Sequence, residues 1–337
     1  MVLVCHYRGA FFVEYGLLPK SQQTPLMFFF YSVTRLGHEA VLVFFVLSGF
    51  LVGGRAIERI SKNQFRPKDY TIDRAVRILL PLMSSLLFAL IVRLVIRENP
   101  QFDVLLGNLF SLQGIACEPY SEPFWSLSYE VWFYILMFAI GYCSVHRGRN
   151  KMLLGLFLLL ICFLVFTKLN VIYLFVWILG AFSFLSVRKR SKKILFLSFG
   201  FILILMGLLQ ITSLTNIAIP FAEKIDRSII ELLFGFIVSL FVMEVVQFPP
   251  RRRVGMVFDR WSTKLAAFSY TLYLIHFPLF RLLTFLGAPK CTSVNVYSVC
   301  LFCCWLIIAL GFSYLVFLVF ERNTPTVKRW IKSRKTI

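Results

Sequence analysis

Four stretches of the sequence carry ionisable residues in apolar surroundings, and their side chains are suited to acid–base and anion chemistry. VLVCHYRGAFF contains His6, FWSLSYE contains Glu130, DRAVRILLP contains Arg74 and Arg77, and SYTLYLIHFP contains His276. A neutral imidazole can take a hydroxyl proton near neutral pH, a carboxylate can orient it, and guanidinium groups bind phosphate. Because an unpaired polar group is costly in hydrocarbon, these residues indicate either a functional cavity or structural pairing.

The composition predicts which solvent surrounds these residues. The chain is 59% hydrophobic, contains 38 phenylalanines and has a mean hydropathy of +0.79, which excludes an ordinary water-soluble domain. A net charge of +20 is typical of nucleic-acid binders, but here the basic residues form short clusters between apolar segments. We therefore expect no nucleic-acid partner. We interpret residues 1–337 as a single membrane domain.

Apolar segments predict an all-α fold, a polytopic integral membrane helical bundle of about ten transmembrane helices. A spanning helix needs roughly 17 to 25 mostly apolar residues, and flanking charges and prolines suggest the boundaries. The predicted spans are 1–18, 38–56, 76–96, 124–143, 152–167, 171–187, 194–213, 228–247, 264–286 and 295–320. Only residues 168–170 separate the fifth and sixth spans, which indicates either a tight helical hairpin or a wrong division.

The distribution of Lys and Arg predicts the orientation of the chain. Twenty-six of them fall in loops or the C-terminal tail on one predicted side, and seven fall in loops on the other. Because cytoplasmic loops are enriched in basic residues, we expect ten spans with both termini in the cytoplasm. Seven further charges lie in or beside the outward halves of spans: Arg8, Arg93, Arg281, Glu14, Glu39, Glu130 and Glu231. A charge at mid-bilayer costs about 2.5 to 3.5 kcal/mol, so the group predicts mutual pairing or a shared polar cavity.

The eight cysteines predict neither a metal site nor a disulfide framework. Most lie inside predicted spans, and no metal-ligand spacing accompanies them. Cys117 and Cys291 lie in predicted outer loops, where a disulfide is conceivable but disfavoured.

Each polar motif also has a structural interpretation. A lone histidine such as His6 is equally typical of a packed, hydrogen-bonded residue, and Ser48 with Gly49 is by default a close helix contact. Arg74 and Arg77 lie three apart on one helical face, at the predicted cytoplasmic mouth of the third span, where such pairs often anchor a helix to lipid phosphates. Spacing alone does not choose between these interpretations.

Taken together, the motifs resemble the membrane acyltransferase type 3 family, whose bacterial members include O-antigen and exopolysaccharide O-acetylases. They occur in order: a histidine in the first span, FFVLSGF at 44–50, R-x-x-R followed by Pro81, FWSLSYE at 124–130, YTLYLIHFP at 270–278 and FER at 320–322. The resemblance covers nearly the whole chain and implies ten spans. The family pattern also places an arginine about ten residues before the first-span histidine, whereas only five residues precede His6. We therefore expect a first helix truncated at its N-terminus.

The resemblance implies an O-acyltransferase of the bacterial inner membrane. Its donor would be cytoplasmic acetyl-CoA or another acyl-CoA, without a metal. Its acceptor would be a hydroxyl of a cell-surface or lipid-linked glycan, such as lipopolysaccharide or an exopolysaccharide. Besides membrane lipids, a downstream transferase is a possible partner.

The implied roles follow from side-chain chemistry. His6 is the expected catalytic base, and Glu130 either orients a histidine or binds sugar hydroxyls. Arg74 and Arg77 are expected to bind donor phosphates, with Ser48 as a further cofactor-binding residue.

The acceptor is expected to contact Trp125, through its flat ring, together with Ser128 and His276. Tryptophan is also enriched at membrane interfaces for reasons unrelated to ligands, and a structural role is the alternative for His276. Ser126 and Ser128 are two residues apart, so they point to different sides of the helix and do not form a pair. Neither lies in a Gly-x-Ser-x-Gly turn, which favours direct transfer over an acyl-serine intermediate.

A transporter or flippase for a lipid-linked saccharide is the rival hypothesis. Buried charges in a ten-span chain are also typical of carriers, although the two halves share no visible repeat. An inactive relative that only binds glycan is a third alternative.

Overall fold

The computed structural model describes residues 1–186, 191–212, 226–248 and 253–333. Within these ranges the chain forms helices and no β-strand, so the all-α prediction is confirmed. The helices are α1 (Val2–Phe11), α2 (Pro25–Thr34), α3 (Gly37–Ser48), α4 (Arg55–Ser61), α5 (Pro67–Val95), α6 (Phe102–Leu109), α7 (Trp125–Val145), α8 (Arg149–Phe166), α9 (Val171–Leu185), α10 (Lys192–Thr212), α11 (Arg227–Val245), α12 (Arg253–Phe285), α13 (Val296–Val319) and α14 (Thr324–Ser333).

Eight helical runs in the described ranges are long and apolar enough to cross a membrane. They are Pro25–Ser61, Pro67–Val95, Glu122–Val145, Arg149–Phe166, Lys192–Gln210, Arg227–Val245, Gly255–Phe285 and Val296–Ser333. Each of these runs coincides with one predicted span, and the chain is a multi-pass membrane protein. The ends of the predicted spans at 187 and 213, and the basic positions 188–190, 224, 251–252 and 334–335, lie outside the described residues.

The first and sixth predicted spans form shorter helices, so the count of ten is not confirmed. Helix α1 has 10 residues and ends at Phe11, whereas the apolar pattern predicted a helix to residue 18. Phe12 is extended, and two short 3₁₀ turns follow around Gly16 and Pro19, residues that interrupt an α-helix. Helix α9 has 15 residues. The Asn170 side chain caps α9 by accepting from the Ile172 N–H, which supports the hairpin interpretation of α8 and α9.

The described chain divides into two compact units. The first comprises Met1–Gly37, Ile72–Leu127 and Arg253–Ile337. Helix α1 packs against α12 and α13 in this unit, and the Tyr7 hydroxyl donates to the His276 carbonyl oxygen at 3.2 Å. A cluster of apolar side chains forms the core: Tyr7, Phe11, Phe12, Leu279, Phe302 and Ala309. This packing brings the first polar motif of the sequence to the motif around His276.

The second unit comprises His38–Thr71 and Ser128–Arg252. In its core the Phe133 ring stacks on the rings of Phe166 and Trp177, with centroids 5.9 and 5.3 Å away. Helix α3 continues through a π-helical turn, Gly49–Gly54, into α4.

This π-helical turn packs closely against α9. A Cβ atom at Gly49 would collide with the Trp177 carbonyl oxygen, and one at Gly180 would collide with the Val46 carbonyl oxygen. The glycine of FFVLSGF therefore allows two helix backbones to touch, as the packing interpretation expected.

Candidate active site

Two imidazoles meet in the first unit. The rings of His6 in α1 and His276 in α12 have centroids 5.2 Å apart and are tilted by 52°. These residues are 270 positions apart in the sequence, and each was predicted singly as a site residue. The structure therefore joins one predicted base to one predicted substrate contact.

The His276 imidazole is fully buried, and its surroundings determine its tautomer. Nδ1 lies 3.1 Å from the carbonyl oxygen of Leu272, one helical turn earlier. Because a carbonyl only accepts, neutral His276 carries its proton on Nδ1 and keeps Nε2 as an acceptor. Within the described residues, Nε2 has no hydrogen-bond partner. The Nε2 atom of His276 can therefore accept a proton or a hydrogen bond from a group that approaches it.

His6 is half-buried, and its ring meets the Phe277 ring edge-on at 5.4 Å between centroids. A partly exposed imidazole next to an apolar ring can be reached by a substrate hydroxyl, as a general base must be.

The start of FWSLSYE is tied to the same region of α12. The Tyr273 hydroxyl donates to the Pro123 carbonyl oxygen at 2.7 Å and lies 2.6 Å from Ser126 Oγ. The Tyr273 ring is 6.1 Å from the His276 ring, between centroids. Trp125, next to Ser126, is half-buried at the first residue of α7. Sequence reasoning missed Tyr273, although it lies within YTLYLIHFP, three residues before the histidine.

An arginine clamp lies elsewhere in the first unit. Arg77 Nη1 is 2.7 Å from Glu321 Oε1, and Glu321 is 2% exposed. Glu321 Oε2 accepts from the Thr271 backbone N–H at 3.2 Å and from its hydroxyl at 2.6 Å. The guanidinium also lies over the Tyr270 ring, 5.9 Å from its centroid. The buried Glu321 carboxylate needs such partners. Glu321 and the Tyr270 ring in turn hold the Arg77 guanidinium, while about half of the Arg77 side chain stays exposed.

Glu321 was not predicted as a site residue, although the FER motif contains it. Arg74 lies on the same helix as Arg77 and is partly exposed. Arg77 of the R-x-x-R pair and Glu321 of the FER motif are more than 240 residues apart in the sequence and form an ion pair in the structure.

Glu130 lies in the second unit, at the end of a buried chain of hydrogen bonds. The Tyr134 hydroxyl donates to Glu130 Oε1 at 2.6 Å, Ser48 Oγ is 3.2 Å from the Tyr134 hydroxyl, and Trp177 Nε1 donates to Ser48 Oγ at 3.2 Å. The Tyr134 hydroxyl has one proton and donates it to Glu130, so it accepts from Ser48, which in turn accepts from the indole N–H of Trp177. Each proton of the chain therefore points toward the carboxylate. Helical i, i+4 spacing aligns Glu130 with Tyr134.

The predicted site residues therefore divide between the two units. His6, Arg74, Arg77, Trp125 and His276 belong to the first, whereas Ser48, Ser128 and Glu130 belong to the second. Ser48 lies at the close contact with α9, in agreement with its structural interpretation. Ser128 is fully buried in α7.

The other charges that lie in or beside the predicted spans have polar partners, which supports mutual pairing over a single shared cavity. Arg8 pairs with Glu14 at 3.2 Å, and both Arg93 and Arg281 pair with Glu98. In the second unit, Glu231 accepts from His38 and Arg227, and Glu39 accepts from Gln210.

Cys117 and Cys291 are both free thiols. No group of three or more His, Cys, Asp or Glu side chains within the described ranges is arranged to hold a metal ion.

Comparison with protein families gave one match: the model of acyltransferase family 3, described as an acyltransferase domain, matches residues 1–318. No curated protein and no solved structure matched the chain significantly. The family match covers the motifs that carried the resemblance except FER at 320–322, and it favours an enzyme over a transporter. Helices able to cross a membrane and this match along most of the chain show that the protein is a membrane acyltransferase of the acyltransferase type 3 family.

Proposed function

We propose that the protein transfers an acyl group, acetyl in the first instance, from cytoplasmic acyl-CoA to a hydroxyl of a cell-surface or lipid-linked glycan. The observation that carries the proposal is the pairing of half-buried His6 with fully buried His276 in the first unit. This unit also contains the Arg77 clamp. A base can take the proton of the acceptor hydroxyl, and a cationic group can position the donor by binding its phosphates.

The proposed step is direct transfer. The acceptor oxygen attacks the thioester carbonyl while His6 takes the hydroxyl proton. The new C–O bond forms, the C–S bond to coenzyme A breaks, and the protonated imidazole returns its proton to the leaving thiolate. Ser126 is an unsuitable nucleophile because its hydroxyl is engaged with Tyr273 and the Pro123 carbonyl oxygen.

The remaining predicted residues complete the proposal. Arg74 and Arg77 bind the diphosphate of the donor on the cytoplasmic side of a bacterial inner membrane, with both chain termini in the cytoplasm. Glu130 binds acceptor hydroxyls or orients a histidine, and Trp125 stacks on a sugar ring. Ser48, which is buried, supports Glu130 through the Tyr134 hydroxyl, and Ser128 is fully buried in the same helix as Glu130.

The test is transfer of labelled acetyl by purified protein in lipid nanodiscs, from acetyl-CoA to extracted lipid-linked glycans. His6→Ala should lower the transfer rate about 100-fold or more, the usual size of a general-base contribution. Glu130→Gln, tested alone, should also lower it. His146→Ala is the matched control, because His146 is half-buried at the end of α7 and contacts Tyr142 of the same helix. Wild-type rates for His6→Ala would refute the base assignment.

A further inference from the structure

The C-terminal helix α14 brings two lysines to the arginine pair. Lys328 and Lys332 are four residues apart and therefore share one helical face. Their Nζ atoms lie 3.4 and 3.6 Å from Asp73 Oδ1. Asp73 immediately precedes Arg74 and lies one helical turn before Arg77. The lysines are thus held next to the residues proposed to bind the donor.

Positive charge is in excess in this cluster. Among the described residues, and counting the neighbouring pair of Arg66 and Asp69, the cluster has five cations and three anions: Arg66, Arg74, Arg77, Lys328 and Lys332 with Asp69, Asp73 and Glu321. The Glu321 oxygens are already engaged by Thr271 and Arg77, and both lysines share the Asp73 carboxylate. The ammonium groups remain accessible, since the Lys328 and Lys332 side chains are 24% and 42% exposed. An accessible cationic cluster of this kind is suited to a multiply charged anion.

The chemistry of the proposed donor supplies such an anion. Coenzyme A carries a diphosphate and, on its ribose, a separate 3′-phosphate monoester. A phosphate monoester has a charge of about −1.5 to −2 at neutral pH and needs cations of its own. The two arginines can bind the diphosphate. The flexible lysine side chains can reach the 3′-phosphate, which lies at a separate position on the ribose.

We propose that Lys328 and Lys332 bind the 3′-phosphate of the acyl-CoA donor. This inference rests on the proposed function and identifies the donor as an intact coenzyme A thioester. It assigns the C-terminal helix to the donor site. Lipid headgroup phosphates share the same chemistry, so the test must separate the two sources.

The test compares acetyl-CoA with acetyl-3′-dephospho-CoA in protein reconstituted into nanodiscs. Wild type should prefer acetyl-CoA by about tenfold in kcat/KM, which corresponds to about 1.4 kcal/mol. The variant K328Q/K332Q should lose this preference, because KM for acetyl-CoA rises while KM for the dephospho donor stays constant. The comparison is internal to each variant, so partial misfolding lowers both rates together and leaves the ratio intact. Lys62→Gln is the matched control, since Lys62 is an exposed lysine paired with Glu58.

Three outcomes would overturn the inference. A wild-type preference retained in K328Q/K332Q would remove the lysines from the donor site and leave the proposed function standing. Equal losses with both donors, seen only in nanodiscs of anionic lipid, would assign the lysines to lipid headgroups. Failure of the wild type to use either donor, while another acyl thioester is used, would overturn the acyl-CoA proposal itself.

Discussion

At the scale of single residues, the carboxylate of Glu130 shows how a charge is kept inside a membrane helix. Its Oε1 atom accepts a 2.6 Å hydrogen bond from the Tyr134 hydroxyl. Tyr134 is hydrogen-bonded to Ser48, and Ser48 accepts from the Trp177 indole. All four side chains are buried. Such a chain of donors compensates the carboxylate for lost solvation and fixes its orientation.

Tyr134→Phe tests whether this orientation matters for transfer. The substitution removes the hydroxyl that donates to Glu130 and leaves the ring in place, so we expect kcat to fall about tenfold with little change in KM. The loss of a buried hydrogen bond should also cost about 1 to 3 kcal/mol of stability, measured by thermal unfolding. Tyr142→Phe, farther along α7, is the control. Full activity in a correctly folded Tyr134→Phe protein would show that the hydrogen bond is only structural.

Glu321 is the second residue whose contribution can be isolated. Glu321→Gln removes the charge that holds Arg77 but keeps the shape of the side chain. We expect KM for acyl-CoA to rise about tenfold with kcat nearly unchanged, because the guanidinium loses its fixed orientation. Steady-state kinetics with varied donor provides the measurement, and Glu321→Asp should recover part of the affinity.

The control for this experiment is Glu58→Gln. Glu58 forms an exposed pair with Lys62, and exposed pairs contribute little to stability. An unchanged donor KM in folded Glu321→Gln protein would mean that Arg77 needs no clamp or does not bind the donor.

At the scale of elements, the close contact between the π-helical turn after α3 and helix α9 depends on two glycines. Gly49→Ala or Gly180→Ala would push a methyl group into a backbone carbonyl, which a side-chain rotation cannot relieve. We expect each variant to lose about 1 to 3 kcal/mol of stability, as in other overpacked interiors. Thermal unfolding in detergent measures the loss.

Gly200→Ala is the matched control for these variants. Gly200 lies inside α10, and among the described residues no atom of a neighbouring element comes within 4 Å of the position that an alanine methyl group would take. Alanine should therefore be neutral or slightly stabilising there. Equal unfolding temperatures for Gly49→Ala and Gly200→Ala would contradict the close-contact explanation.

The elements also show what the sequence could and could not predict. Long apolar runs were predicted where they occur, because bilayer thickness sets their length. Helix α13 agrees with the predicted span 295–320 to within one residue at each end, whereas α5 begins at Pro67, nine residues before its predicted span 76–96. The break after Phe11 was missed, because hydropathy alone does not register Gly16 and Pro19 as strongly as a charge.

The candidate residues of the site can be named from the sequence, but the partners of those residues cannot. His6 and His276 were recognised as chemically suitable, yet their contact depends on the packing of α1 against α12. Glu321 and Trp177 were missed for the same reason. Nothing in local spacing indicates that a residue will meet a partner more than a hundred positions away.

At the scale of the whole molecule, the number of crossings depends on whether short helices such as α9 span the membrane. Its 15 residues extend about 22 Å, less than the roughly 30 Å of a typical hydrocarbon core. The flanking charges favour a crossing nevertheless: Lys168 stands alone before α9, while Lys192 and Lys193 follow it within a basic cluster. Local thinning of the bilayer can compensate for the missing length.

Cysteine labelling tests this crossing directly. In a background with all eight native cysteines replaced and activity retained, Lys168→Cys and Lys193→Cys should react from opposite sides with a membrane-impermeant maleimide. Intact cells should label only Lys168→Cys, and permeabilised cells should label both. Lys62→Cys, on the predicted cytoplasmic side before α5, calibrates the inner face. If Lys168→Cys and Lys193→Cys are labelled from the same side, α9 does not cross the membrane. Another segment must then cross in its place to keep the Lys- and Arg-rich loops on one side.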